Sequence, residues 1–236
     1  MFHFKQFDIE DNGATMKVGT DALLLGTLAT SPHTPLRILD IGTGCGVIAL
    51  IMAQRFPNAQ IDAIDIDKQT ADIASNNFLC SPWNNRLHAQ NISIQDFSSD
   101  SEFTYDLIVS NPPFFSNSLR NENDRRRIAR HDDCLPQEQL FFAASRLLSD
   151  KGLIAIIVPS DSTQRAISNA ANESLICTGI IDICNRHDTP PKRTVLHFSK
   201  NTTIYNGTPP RSNFILRNAD NTFSSQYQTL TEPFLL

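Results

Sequence analysis

Short β-rich apolar runs alternate with stretches of helical periodicity from Arg37 to Val158, and this alternation sets the expected order of elements. Strands are predicted at Arg37–Ile41, Gln60–Asp65, Leu87–Gln90, Tyr105–Ser110 and Leu153–Val158. Helices are predicted at Gly46–Arg55, Lys68–Leu79, Pro136–Leu148 and Ser162–Glu173. Strands joined through helices make right-handed crossovers, so the expected fold class is α/β, a doubly wound and mostly parallel sheet covered on both faces. Leu175–Asn185 and Thr194–Ser199 are expected to pair as an antiparallel hairpin across a loop at Pro190-Pro191-Lys192-Arg193. Asn, Thr, Ser and Pro crowd the segment 201–236, which is expected to be irregular. No repeat or linker divides the chain, so one domain is expected over 1–236: an N-terminal extension 1–36, the core 37–200 and the C-terminal segment.

Composition removes several classes of function. With 40% hydrophobic and 19% charged residues the chain is neither disordered nor fibrous. Its apolar runs, such as Val47–Ala53 and Leu153–Val158, fall far short of the roughly 20 residues a spanning helix needs, so no membrane partner is expected. The start, MFHFKQFDIEDNG, lacks a basic segment followed by an apolar one, and the expected location is the cytoplasm. Five cysteines, widely spaced and without a CxxC pair, suggest isolated thiols and no metal. The net charge is −5, so a polyanion would have to be held by a local patch. Arg120, Arg125, Arg126, Arg127 and Arg130 form such a patch against two acids, and Lys192 and Arg193 could extend it, although a charge run is also simply a solvated face.

Two short motifs carry chemistry. Asp40-Ile41-Gly42-Thr43-Gly44-Cys45-Gly46 joins the first core strand to its helix, where glycines let a ligand approach the backbone and a helix N-terminus offers unpaired N–H groups. A tight turn alone would also explain the glycines. Asp65 closes the next strand, where an acid can take two ribose hydroxyls. The second motif, Asn111-Pro112-Pro113-Phe114, follows the apolar strand YDLIVS at its carboxyl end, where open α/β sheets place their crevice. Its prolines hold an extended turn, so that the Asn111 carboxamide oxygen and the Pro112 carbonyl can converge on one NH2 group while Phe114 offers a stacking face. A rigid turn with a core phenylalanine is the plain alternative.

Asp40–Gly46 resembles motif I of the class I S-adenosylmethionine-dependent methyltransferases, and Asn111–Phe114 resembles motif IV of the amino-methyltransferases. The resemblance implies a Rossmann-like fold with S-adenosylmethionine as cofactor. It places Asp40, Gly42 and Gly44 at the cofactor's methionine end, Asp65 on the ribose and Ile66 beside the adenine. An amide or acid after the third core strand should touch the adenine amine; Asn91, followed by Ile92, suits that position, with Asp96 as the competing register. Motif IV serves adenine-N6, cytosine-N4 and glutamine-N5 enzymes alike. Met16–Gly26 and Arg130-His131-Asp132 are similar to signatures of the tRNA1(Val) (adenine(37)-N6)-methyltransferase family, which implies a tRNA anticodon loop as partner and places Thr20 near the methionine end. An amphipathic helix capped by Thr20 would also account for Lys17–Gly26. The rivals are a protein glutamine-N5 methyltransferase, whose usual extra N-terminal helical domain does not fit the 36 residues before Arg37, and a non-catalytic cofactor-binding module.

Overall fold

A computed structural model describes residues 1–112, 135–200 and 207–236. Two short strands, β1 (Phe2–His3) and β2 (Asp8–Ile9), pair antiparallel ahead of helix α1 (Thr20–Leu28). The core then runs β3 (Arg37–Ile41), α2 (Val47–Arg55), β4 (Gln60–Asp65), α3 (Lys68–Leu79), β5 (Leu87–Asn91), α4 (Ile94–Asp100) and β6 (Tyr105–Ser110). After it come α5 (Gln137–Leu147), β7 (Leu148–Pro159), α6 (Thr163–Asn172), β8 (Ile176–Cys184), β9 (Pro191–Ser199), β10 (Arg211–Ile215) and α7 (Ser225–Thr231).

Eight strands form one sheet in the order β10-β8-β9-β7-β6-β3-β4-β5. The pairs β3 to β4, β4 to β5, β3 to β6, β6 to β7 and β8 to β10 are parallel, whereas β9 runs antiparallel between β7 and β8. The expected α/β class with a C-terminal antiparallel pair is therefore present. Successive residues of each strand point to opposite faces, which gives two cores. One holds Ile38, Ile61, Leu107 and Val109 against Leu24, Leu25 and Ile51 of α1 and α2. The other holds Leu39, Ile108, Ile154 and Phe198 against Leu140 and Phe141 of α5. Because β3 and β6 are covered on both sides, their middles read as apolar runs, whereas β4 (QIDAID) carries three polar residues.

Four expectations need correction. Helix α1 is not amphipathic: Ala22 to Thr27 are all buried, because the helix is wedged between α2 and the sheet. Nor is Thr20 its cap; Gly19 holds that position in extended geometry and Thr20 is the first helical residue. Lys192 and Arg193 lie within β9 and not in the preceding loop, since Pro191 has no N–H to contribute and is tolerated as a strand's first residue. The segment 201–236 contains β10, an added edge strand parallel to β8, and the helix α7.

Arg86 shows how a charge is used inside this fold. Its guanidinium donates to the carbonyls of Phe56 (3.1 Å), Ala59 (3.0 Å) and Ala53, closing off the C-terminal end of α2. Replacing Arg86 by Met keeps the length but strands these acceptors, and should lower unfolding free energy by about 3 kcal/mol in urea titrations. A loss below about 0.5 kcal/mol would mean that water serves the carbonyls equally well.

Candidate functional site

The chain changes direction once in the middle of the sheet. From β3 it winds outward through β4 to β5, then returns to place β6 on the other side of β3, so the tips of β3 and β6, still paired at Ile41 and Ser110, flank a switch point. Gly42 follows the tip of β3 and Asn111 follows the tip of β6, while Asp65 and Asn91 stand opposite one another at the tips of β4 and β5. Asp40, Gly42, Gly44, Asp65, Ile66, Asn91, Asn111 and Pro112 are thus brought to one end of the sheet.

The glycine turn is held from both sides. Gly42 and Thr43 donate their N–H groups to the Ile64 carbonyl at 2.9 and 3.0 Å, and Gly46 donates to the Thr43 carbonyl at 3.0 Å. Gly42, Gly44 and Gly46 have φ of 70°, 59° and 87°, left-handed values that suit glycine. What surrounds them differs. A Cβ on Gly42 would meet nothing within 4 Å among the described residues, whereas one on Gly46 would stand 2.5 Å from the Phe78 ring. Gly42 therefore faces open space, and Gly46 allows α2 to pack on α3.

Both acids of the site are buried and occupied by backbone donors. Asp40 is 0% exposed; its Oδ2 accepts from Thr43 Oγ1 (2.7 Å) and Ala49 N (3.2 Å), while its Oδ1 has no partner among the described residues. Burial pushes its pKa up to about 7. Asp65 Oδ2 accepts from Gly44 N (3.0 Å) and Oδ1 from Asp67 N (3.0 Å), with burial again raising the pKa. Asp65 thus braces the glycine turn, and each oxygen retains a lone pair for a hydroxyl. Ile66, 46% exposed, presents an apolar face beside it.

Asn91 and Asp96 do different work. The Asn91 Nδ2 donates to the carbonyls of Asp65 (3.1 Å) and Ile66 (2.8 Å), which orients its Oδ1 as the acceptor left over. Asp96 is in a capping box at the start of α4: Ser93 Oγ accepts from Asp96 N (3.1 Å) and donates to Asp96 Oδ2 (2.7 Å). Ile92 is half-buried after the strand tip and donates its N–H to the Asp65 carbonyl.

Asn111 is 4% exposed and, among the described residues, its Oδ1 has no hydrogen-bond partner. An orphaned buried acceptor costs free energy, so its retention at a strand tip points to a donor brought by a ligand. Thr20 opens α1, and the next residue, Asp21, pairs with Arg193 Nε at 2.7 Å, which ties the start of α1 to β9. Lys192 is exposed. Phe114, Arg120, Arg125, Arg126, Arg127, Arg130, His131 and Asp132 lie outside the described residues.

Sequence reasoning missed Thr43, whose hydroxyl binds Asp40, and Asn77, whose amide joins Glu10 to the Cys45 carbonyl of the glycine turn. Nothing in their spacing announces either role. A cavity of about 660 Å³ lined by Arg37, Asp62, His88, Phe103 and Tyr105 opens at the other end of the strands and shares only the wall near Ile92 with this site. Among the described residues no group of three potential ligands for a metal ion occurs, and no helix is long and apolar enough to cross a membrane.

The profile of the methyltransferase small domain family matches residues 14–175. A protein of Flavobacterium psychrophilum named tRNA1(Val) (adenine(37)-N6)-methyltransferase is 36% identical over 236 residues, covering 100% of this chain and 99% of its own. A protein of the same name from Porphyromonas gingivalis strain W83 is 39% identical, covering 99% and 94%. Among solved structures, a predicted O-methyltransferase from Agrobacterium tumefaciens superposes with TM-score 0.70 at 17% identity over 91% of this chain and 96% of that one. A methyltransferase from Pyrococcus furiosus does so with TM-score 0.58 at 20% identity, over 83% and 89%. At such identities these structures speak for the fold.

The glycines allow turn and cradle to be separated by experiment. Gly42→Ala should lower thermal stability only by the left-handed penalty of about 1–2 kcal/mol, yet weaken S-adenosylmethionine binding in calorimetry at least about tenfold, because the new methyl occupies the open space. Gly46→Ala should show the larger stability loss, since Phe78 must move; equal effects of the two substitutions on both readouts would refute the distinction. On a profile that covers most of the sequence, and on relatives that align with it from end to end, the chain belongs to the methyltransferase small domain family and, within it, to the tRNA1(Val) (adenine(37)-N6)-methyltransferases.

Proposed function

We propose that this protein methylates the exocyclic N6 of adenine 37 in the anticodon loop of tRNA1(Val), with S-adenosylmethionine as donor. The observation that carries the reading is the buried Asn111 Oδ1, without a partner among the described residues, one residue beyond the β6 tip and across the switch point from the glycine turn. The full-length relatives named for this reaction support the choice of substrate. Such a substrate also favours the cytoplasm as the place of action.

The open space before Gly42 and the unpaired Oδ1 of Asp40 fit a cationic cofactor end. In this reading Asp40, Gly42, Gly44 and Thr20 hold its methionine part, Asp65 its ribose, and Ile66, Ile92 and the Asn91 Oδ1 its adenine. When bound, S-adenosylmethionine supplies an electrophilic methyl on a sulfonium. Asn111 Oδ1 and the Pro112 carbonyl accept the two N–H bonds of the substrate amine, whose lone pair is otherwise delocalised into the ring. Gripping both bonds favours a pyramidal nitrogen and offsets the positive charge that develops on it. No base is needed beforehand, because the proton becomes acidic only after transfer. Phe114 stacks on the base, and an anticodon loop already splays its bases, so less unstacking is required than in a duplex. Arg120, Arg125, Arg126, Arg127 and Arg130, with Lys192 and Arg193, take the flanking phosphates.

The test is incubation with labelled S-adenosylmethionine and unmodified tRNA, followed by digestion to nucleosides. Label should appear in N6-methyladenosine; label confined to protein would move the assignment to the glutamine-N5 reaction. Asn111→Ala should leave cofactor affinity nearly unchanged and lower turnover about 100-fold or more. Wild-type turnover in that variant would remove the clamp from the mechanism.

A pH dependence follows from Asp40, whose folded pKa of about 7 lies above the ordinary carboxylate range. The elevation means that Asp40 favours folding at acid pH and loses that contribution as pH rises through about 7. A cationic ligand favours the ionised form, so S-adenosylmethionine affinity should rise between about pH 6 and 8 and become flat in Asp40→Asn. A flat wild-type profile would place Asp40 outside the cofactor's field.

A further inference from the structure

We infer that Ser110 is a positioning residue, whose buried hydroxyl fixes the spacing between the cofactor turn and the amine clamp. This rests on the methyltransferase reading above. Ser110 is the last residue of β6 and pairs with Ile41, the last residue of β3. It is 1% exposed, and its Oγ donates to the Ile41 carbonyl at 2.8 Å. The next residue on one strand is Gly42 and on the other Asn111, so this single hydrogen bond ends immediately before both functional segments.

Its place in the sheet explains why a hydroxyl stands in an otherwise apolar run. The pairing of the two strands ends at Ile41 and Ser110, and neither Pro112 nor Pro113 has an N–H with which to continue the ladder toward β3. The glycine turn is held on its β4 side by two N–H groups on the Ile64 carbonyl. On its β6 side, among the described residues, Ser110 supplies the only side-chain hydrogen bond between the two tips. The other end of the same strand pair is pinned in a related way: Asp106 Oδ2 accepts from Leu36 N (2.9 Å) and Arg37 N (3.2 Å). β6 therefore grips β3 through a side chain at each end. A buried hydroxyl is unfavourable unless bonded, and an alanine would pack here without that requirement, so the serine is explained by the bond it makes.

Methyl transfer needs donor, carbon and amine in line, and a misplacement of about 1 Å can cost about 100-fold in rate. A residue that sets this spacing should act on turnover more than on either binding step. The experiment compares Ser110→Ala, Ser110→Cys and Ser110→Thr. Cysteine keeps the shape with a weak donor, and threonine keeps the hydroxyl. In the cofactor-free protein, amide hydrogen exchange should quicken about tenfold or more at Gly42, Thr43 and Asn111 in the Ala and Cys variants, remain unchanged at Ile38 and Leu107, and recover in the Thr variant. With tRNA, kcat should fall about 10- to 100-fold in Ala and Cys while KM for tRNA and Kd for S-adenosylmethionine stay within about twofold.

Exchange changes confined to Ser110 itself, or spread evenly through β3 and β6, would overturn the inference, as would losses that appear in KM and Kd instead of kcat. Should Ala fail to fold, Cys against Thr decides the same question. A wild-type protein that forms no N6-methyladenosine would defeat the adenine reading on its own, while the exchange comparison would still decide whether Ser110 couples the tips.

Discussion

The reversal of winding direction between β3 and β6 is the constraint on which the rest of the site depends. Parallel strands must be joined by crossovers, and here the crossovers run outward through β4 and β5 before the chain returns to the opposite flank of β3. The chain therefore leaves these two neighbouring strands in opposite directions across the sheet, the arrangement at whose carboxyl end open α/β sheets keep a gap for a ligand. Gly42 and Asn111 stand on the two walls of that gap. Because both strands are buried on both faces, neither wall can slide without disturbing a core.

Within this frame the polar groups fall into two kinds. Some serve the scaffold: Asp65 braces Gly44 and Asp67 while keeping lone pairs free, Asp96 bonds the Ser93 cap of α4, Asn77 ties the N-terminal segment to Cys45, and Asp21 engages one nitrogen of Arg193. Others are built in without a partner, and two of these, Asp40 Oδ1 and Asn111 Oδ1, lie on the two sides of the switch point. Burial raises the Asp40 pKa, so the acid is held where a positive ligand would draw its proton off. Stability alone does not account for keeping a buried carboxyl oxygen and a buried amide oxygen without partners among the described residues at the same end of a parallel sheet.

How much of this the sequence disclosed depended on burial. β3 and β6 were legible from the short apolar runs that strands covered on both faces carry, β4 from its β-forming Ile61 and Ile64, and the glycines and Asn-Pro-Pro mark the turns that follow β3 and β6. Helix α4 was not foreseen: it has seven residues, IQDFSSD, of which only Ile94, Phe97 and Ser98 are buried, and its capping box is its clearest sign. β10 was missed because RSNFI is an edge strand with Phe214 as its single buried residue, too little to impose a period. α1 misled in the opposite way, being buried on six successive positions so that no polar face remains. The choice between Asn91 and Asp96 could not be read from the chain either, since it turns on which backbone groups each side chain meets after folding.

The most direct measurement is a crystal structure with S-adenosylhomocysteine and an unmodified anticodon stem-loop. The account predicts that the adenine amine lies about 2.7–3.2 Å from both Asn111 Oδ1 and the Pro112 carbonyl, with its nitrogen turned toward the sulfur. An adenine bound elsewhere, with the Asn111 carboxamide bonded to its own backbone, would contradict it.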